Sequence, residues 1–563
     1  MNIELIHKTI SEIVDQQELF HLEEKTIRGV RFKTFANGPK NIRDLVDLCL
    51  SHGDLDFLVY ENERYSFEQF HKYTQRLATV LVRNFNVKKG DRIGLLMRNV
   101  PEYPMLFLAL GSVGAIPVFL NSWWTAKELE YGFMDSGAKI AFVDQARSYN
   151  MAPFADKLGI RRVVVRTESM EKNKEFWGQI ESKAGAPLDI PIDPEDDFAI
   201  MYTSGSSGHP KGVVMTHRSA VSAIQTWFFS YHLSDRLGLL PDPTIDQEGN
   251  PYQPATMVTT PLFHISATHA GVMLAIWFGL KVVLIHKWDP KKAVELIETE
   301  KVSRFACVPT MSAELIRAAN EMNCKMESLR TIDSGGAKRP ASQVADIARN
   351  VPHAMPGTGF GMTESGGIGI GMRGALYVEH PHSAGRLQPP LLEMRIVDEE
   401  DKEVPVGEVG ELVMKSVCNM RCYLNKPEET AKALQNGWLY TGDLAKIDHN
   451  EIITIVDRKK DMIIRGGENI SASEIQAALL AHNDILEAAA FAVPDERLGE
   501  DVACCVLLQE GAELSELQIR EFLRKSLATF KIPKNIWFRD LPLPRGATEK
   551  IDRLAIRAEY VNQ

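Results

Sequence analysis

Between residues 66 and 143 the chain alternates helix-period and strand-period hydrophobic patterns, and this alternation restricts the fold more than any other feature. Ser66-Phe-Glu-Gln69 has the form of a capping box and opens an amphipathic stretch to about Asn84. A turn at Lys89-Gly90 and an apolar run at 93–97 follow; a helical segment near 103–113 then leads to a strand-like 116–119. Thr125-Ala-Lys-Glu128 caps the next helix before an apolar 140–143. Helix and strand in turn at this spacing predict α/β layers with largely parallel sheets. Residues 241–254, with four prolines and several acids, read as an exposed loop.

Towards the C-terminus the pattern restarts. A strand at 452–456 ends in the charged break Asp457-Arg-Lys-Lys-Asp461. Ser471-Ala-Ser-Glu474 caps a helix to about His482, strands follow at 488–493 and 502–508, and another helix runs from about Glu516 to Ser526. A chain of 563 residues exceeds one ordinary core. The expected organisation is therefore a large N-terminal domain of layered α/β subdomains, 1–459, and a small α+β C-terminal domain, 460–563, divided at the charged break.

A formal charge of −11 argues against a nucleic-acid partner. The seven cysteines are scattered, and Cys418 and Cys422 lack the second pair or nearby histidine that a zinc site needs. They read as reduced packing residues of a cytoplasmic protein. Glu4, Glu12 and Asp15 interrupt the segment where a secretory leader would be apolar, and the run at 270–280 is too short to span a bilayer. Docking on a lipid surface, and homodimer formation, stay open.

The most informative segment is MYTSGSSGHPKG at 201–212. An apolar strand at 198–202 runs into hydroxyl residues interleaved with glycines, then a lysine. Glycines let backbone N–H groups turn in on an anion, Thr203, Ser204, Ser206 and Ser207 add donors, and Lys211 supplies a mobile charge. This is not a Walker A loop, because Pro210 precedes the lysine and Gly212 follows it. A Gly/Ser surface turn would explain GSSG alone; the full run after a strand points to phosphate binding.

The loop resembles the signature of the adenylate-forming superfamily, which includes acyl- and aryl-CoA synthetases, luciferases and peptide-synthetase adenylation domains. Further segments agree in order and spacing from about residue 55 to 553. The resemblance implies that Thr203, Ser204, Gly205, Ser206, Ser207, Gly208 and Lys211 hold the phosphates of ATP. It assigns His264, in Pro261-Leu-Phe-His-Ile265, to the acyl pocket beside the reacting carboxylate. His264 and His269 could be misread as metal ligands, but no carboxylate nearby completes a set. Gly335, Gly336 and Ala337, in Asp333-Ser-Gly-Gly-Ala337, would lie against adenine. Gly359-Phe-Gly-Met-Thr-Glu364 is similar to the family's YGxTE: Phe360 replaces the usual tyrosine, Gly359, Gly361, Met362 and Thr363 line the nucleotide, and Glu364, with Thr203 nearby, is the expected Mg²⁺ ligand. The GxGxG spacing of Gly357, Gly359 and Gly361 is not a dinucleotide fingerprint.

The resemblance also assigns Asp443, in Gly437-Trp-Leu-Tyr-Thr-Gly-Asp443, to the ribose hydroxyls with help from Arg458. Lys460 takes the hinge position about which a mobile small domain turns, and Gly466 and Gly467 line the pantetheine channel. Lys550 is the catalytic lysine, preceded by Glu549 where the family has glycine. The implied activity is ATP-dependent activation of a carboxylic acid, with Lys550, Lys211, Glu364 and His264 as the catalytic set. The acyl group then passes to coenzyme A. Apolar pocket segments suggest a fatty acid; an aryl acid such as a hydroxycinnamate, a carrier-protein thiol as acceptor, and a non-catalytic nucleotide or acyl sensor are the alternatives.

Overall fold

The computed structural model describes residues 3–167, 177, 178, 180, 189–203, 209–241, 244, 245, 248–466, 468–545 and 551–561. Of the sequence-derived site residues, Ser204, Gly205, Ser206, Ser207, Gly208, Gly467 and Lys550 lie outside these.

The alternating segments build two large sheets with helices layered between them. The seven-stranded sheet is parallel through Asp197–Thr203, Ile116–Phe119, Arg92–Leu96, Ile140–Asp144 and Arg161–Arg166, and ends in two antiparallel strands, Lys211–Thr216 and Cys422–Tyr423. The nine-stranded sheet is parallel from Asp56–Tyr60 to Met355–Phe360 and antiparallel at both edges. Both capping boxes form as their residue pattern requires, at Ser66 and Thr125, each contributing about 1 kcal/mol to its helix start.

One continuous core joins the inner faces of the two sheets through the helices between them. Helix Glu102–Ser112 is buried along its whole length, so it has no polar face to show. Phe57 of one sheet and Leu95 of the other belong to the same fully buried cluster as Phe107 of this helix. Each such side chain contributes roughly 1.5–3 kcal/mol by leaving water.

A third, antiparallel sheet comprises Glu393–Val397, Gly410–Lys415, Trp438–Ile447, Leu434–Gln435 and Ile453–Arg458. After the short turn Lys459–Asp461 the chain enters a fourth sheet. There Met462–Arg465 and Glu468–Ser471 form a hairpin beside Gly499–Leu508 and Ile485–Asp495, and Asn535–Arg539 pairs parallel to Gly499–Leu508. Asp457, the penultimate residue of the third sheet, links the two bodies. Its buried carboxylate accepts from Ser471 Oγ (2.8 Å) and from Ser473 N (2.9 Å) at the start of helix Ala472–Leu480.

Ahead of the alternating region stand helix Ile3–Gln16 and the hairpin Leu22–Ile27/Val30–Phe35, which pack against the long helix His217–Arg236. The described part of 241–254 carries only an isolated bridge, Ile245 with Pro251, as its prolines require. No described helix is long and apolar enough to cross a membrane.

Candidate active site

Strands Thr331–Gly335 and Met355–Phe360 are parallel neighbours, with Gly335 opposite Gly359. The turns after them therefore open side by side at the carboxyl ends of the sheet, where α/β folds place their ligands. A broad crevice runs there, lined by Thr203, Lys211, Gly335 to Ala337, Gly359 to Glu364, His264, Asp443 and Arg458. All but seven residues of the sequence-derived constellation are described; of these, Gly466 alone stands off the crevice lining.

One side of the crevice begins on a hairpin. Asp197–Thr203 and Lys211–Thr216 pair antiparallel with Lys211 opposite Thr203, so the Gly/Ser run joins two strand ends at the crevice. The Lys211 ammonium is bonded to the Glu429 carboxylate and lies 5.0 Å from the ring centre of Tyr423. The hydrogen bond and charge of Lys211 hold the Glu429 carboxyl below its ordinary pKa. Tyr423 Oη in turn donates to Glu364 Oε1 at 2.8 Å, a charge-assisted bond of the class that contributes about 1.5–3 kcal/mol. Burial, then the Glu364 charge, push the Tyr423 phenol far up, so it stays a donor.

Glu364 is buried in the one-turn helix Thr363–Ser365, and its carbonyl accepts from Met420 N at 2.7 Å. The glycines around it answer to packing: a β-carbon on Gly361 would run into the carbonyl of Gly367. Phe360 is half-buried, backed by the core that contains Ile370 and Ile396, and lines the crevice. Below the Gly335–Gly336 turn, Asp333 receives two bonds from Arg373 (2.7 and 2.8 Å) and lies 3.6 Å from Arg304. Burial alone would raise the Asp333 pKa; Arg373, then Arg304, outweigh it and hold the carboxyl ionised.

Asp443 and Arg458 face each other across strands Trp438–Ile447 and Ile453–Arg458, 3.5 Å apart, with Asp443 buried and Arg458 half-exposed. His264 directly precedes the segment Ile265–Phe278, and its ring lies tilted at 54° to that of Phe263, with ring centres 4.3 Å apart. Thr268–Met273 then forms a π-type turn, a local widening common beside functional sites. It turns His269 away into full burial, where Nδ1 lies 3.0 Å from Thr268 Oγ1 and burial brings the pKa down to about 3. Among the described residues no group of three or more His, Cys, Asp or Glu is arranged to hold a metal.

Lys460 is exposed in the turn between the third and fourth sheets. Arg553 bonds Gln476 at 2.7 Å and lies 3.4 Å from Asp461 and 3.9 Å from Asp457, tying the start of the last helix to that turn. Arg545 and Ile551, which bracket 546–550, pair with each other and line the crevice, whereas Gly466 faces elsewhere with its N–H on Leu498 O.

Tyr423, Glu429, Asp457 and Arg553 join the site without having been assigned a role from sequence. Glu429 is one of two acids in the first turn of helix Pro427–Ala433, and nothing in that segment marks it as the partner of Lys211. Tyr423 is an isolated aromatic in a two-residue strand and gives no pattern to read.

Fold and site together define an adenylate-forming enzyme. Residues 48–424 match the AMP-binding enzyme family, and residues 474–550 match the AMP-binding enzyme C-terminal domain. The chain belongs to the AMP-binding enzyme family. It is 30% identical over 506 residues to the long-chain-fatty-acid–CoA ligase FadD13 of Mycobacterium tuberculosis, covering 88% of this chain and 93% of that protein. It is 29% identical over 501 residues to a feruloyl-CoA synthase of an Amycolatopsis species, covering 88% and 94%. A solved fatty acyl CoA synthetase of Mycobacterium tuberculosis superposes with a TM-score of 0.70 at 29% identity, covering 93% of this chain and 99% of that one.

Proposed function

We propose that this AMP-forming acid–thiol ligase activates a hydrophobic carboxylic acid, a fatty acid in preference to an aryl acid. The acid is taken to its acyl-adenylate with release of pyrophosphate, then to acyl-CoA and AMP. The carrying observation is a crevice whose lining includes Lys211 and Glu364 together with an apolar set, Ile265, Ala270, Leu274 and Phe278 from the segment after His264, and Trp227. Relatives named for a long-chain fatty acid and for feruloyl-CoA are similarly distant, so the preference for an alkyl acid rests on that lining.

In this reading the phosphates of ATP lie over 203–208, and Lys211 exchanges Glu429 for a phosphate oxygen. Adenine rests between the Gly335–Ala337 turn and Phe360, and the ribose hydroxyls donate to Asp443, with Arg458 beside it. A buried carboxylate with Thr203 on the same crevice is the sparse oxygen set that magnesium takes alongside phosphate and water. Mg²⁺ held there by Glu364 and Thr203 would neutralise charge between the phosphates. The acid's carboxylate attacks the α-phosphorus beside His264, and Lys550 donates to the developing negative charge. We take Lys460 as the pivot and 459/460 as the domain boundary. Turning there withdraws Lys550 and brings Gly466 and Gly467 over the thiol route. Arg545 and Ile551 on the crevice lining, with Gly466 off it, fit the adenylating orientation. The unpaired cysteines fit a cytoplasmic location.

A pyrophosphate-release screen over straight-chain and aryl acids of graded size tests the substrate class. Rates that climb with alkyl length and fall on hydroxycinnamates support it; the reverse order refutes it.

A further inference from the structure

Helix His217–Arg236 lends Trp227, Ser230, Tyr231, Leu233 and Ser234 to the crevice lining, continued by Leu237. From Trp227 to Leu237 this lining spans about 15 Å, at about 1.5 Å per residue. Trp227 stands at its inner end. A β-carbon on Gly367 would lie 3.2 Å from Trp227 Cη2 and 3.3 Å from Ile265 Cγ1, so indole, isoleucine and glycine turn converge. Ile265 follows His264 directly, and Gly367 lies three residues after Glu364. The ring therefore stands where the apolar pocket reaches the turn that carries the metal carboxylate.

Beyond the ring the wall changes. Ser230 and Ser234 are small, and their hydroxyls donate to the carbonyls of Thr226 (3.0 Å) and Ser230 (2.8 Å), so neither carries an unmet donor, while Tyr231 beside them packs its ring on Phe278. Leu274 and Phe278 also line this stretch, as do Ile6, Ile10 and Val14 of the N-terminal helix, which pack with Leu233 and Leu237. This far compartment is thus built partly from residues that precede the family match at 48–424.

We propose that Trp227 determines alkyl-chain specificity, dividing the crevice into a proximal acyl pocket and a distal channel along the long helix and under the N-terminal helix. The proposal rests on the alkyl-acid reading above. Acids that end at the indole are held by contact with it. Longer ones enter the channel only as the ring swings aside, and each methylene then buried is worth about fourfold in kcat/KM.

The test is pyrophosphate release by the full chain with ATP and Mg²⁺ on straight-chain acids from hexanoate to stearate, compared with ferulate. Trp227→Ala should move the optimum to longer acids by several carbons, and Trp227→Phe by fewer; the milder variant keeps the test available if the alanine fails to fold. Ser234→Phe fills the channel beyond the ring and should lower stearate relative to octanoate. An unchanged optimum in both Trp227 variants, or an equal loss on every acid in Ser234→Phe, overturns the chain-length role and leaves the alkyl-acid reading intact. Wild-type activity on ferulate with none on any straight-chain acid overturns both.

Discussion

At the scale of single residues, the chemistry turns on how the site holds its charges before substrate arrives. Lys211 rests on Glu429, and Glu364 on Tyr423, so the groups proposed for the phosphates and for the metal already have partners. Glu364→Gln keeps the size and the acceptor for Tyr423 but removes the anionic ligand. It should abolish Mg²⁺-dependent adenylation with the thermal midpoint little changed, and wild-type pyrophosphate release at limiting Mg²⁺ would rule the role out. In the proposed reading Glu429 competes with phosphate for the same lysine. Glu429→Gln should therefore lower the KM for ATP several-fold with a smaller change in kcat, whereas a raised KM would mean that Glu429 positions Lys211 for phosphate. Lys211 on the crevice wall was legible from the strand that runs into the Gly/Ser segment before it. Its resting partner, on a helix more than two hundred residues later, was not, because local sequence carries no record of which distant acid folds against it.

At the scale of elements, reading succeeded where one short pattern forces one geometry. The capping boxes at Ser66 and Thr125, the parallel strands before Gly335 and the prolines of 241–254 are such cases. It missed the third sheet apart from Ile453–Arg458, which the strand expected at 452–456 anticipates, and it missed the hairpin 462–471, whose four-residue strands are too short to show a firm alternation. The N-terminal helix was missed as well, because its apolar face has meaning only against the long helix. The π-type turn after His264 could not be foreseen, yet it decides the fate of His269. Burial there brings the imidazole from an ordinary pKa of 6.5 to about 3. Between those values the unfolded chain binds a proton that the native state refuses. This contribution to stability is intact above the unfolded value and is lost progressively as pH falls from 6.5 towards 3. His269→Asn, though less stable at neutral pH, should show a shallower fall of thermal midpoint over that window. Equal slopes for variant and wild type would mean that other groups govern the acid limb.

At the scale of the whole molecule, the account requires one small domain to serve two half-reactions. Asp457 and Arg553 gather around the turn at Lys459–Asp461, which is where a pivot would have to lie. Lys460→Pro restricts φ and removes a donor there, so adenylation should persist while thioester formation falls at least tenfold. Equal loss of both steps would argue against a hinge at this residue. The proposed reactions must occur in order, and a single-turnover measurement tests that order. With ATP, Mg²⁺ and the best acid of the screen but no CoA, wild type should release about one pyrophosphate per chain in a burst, and added CoA should then yield acyl-CoA and AMP. Lys550→Ala should lose the burst by about a hundred- to a thousandfold, roughly 2.7–4 kcal/mol, yet convert supplied acyl-adenylate to thioester at the wild-type rate. Pyrophosphate that appears only when CoA is present from the start, or ADP in place of AMP, would contradict the account.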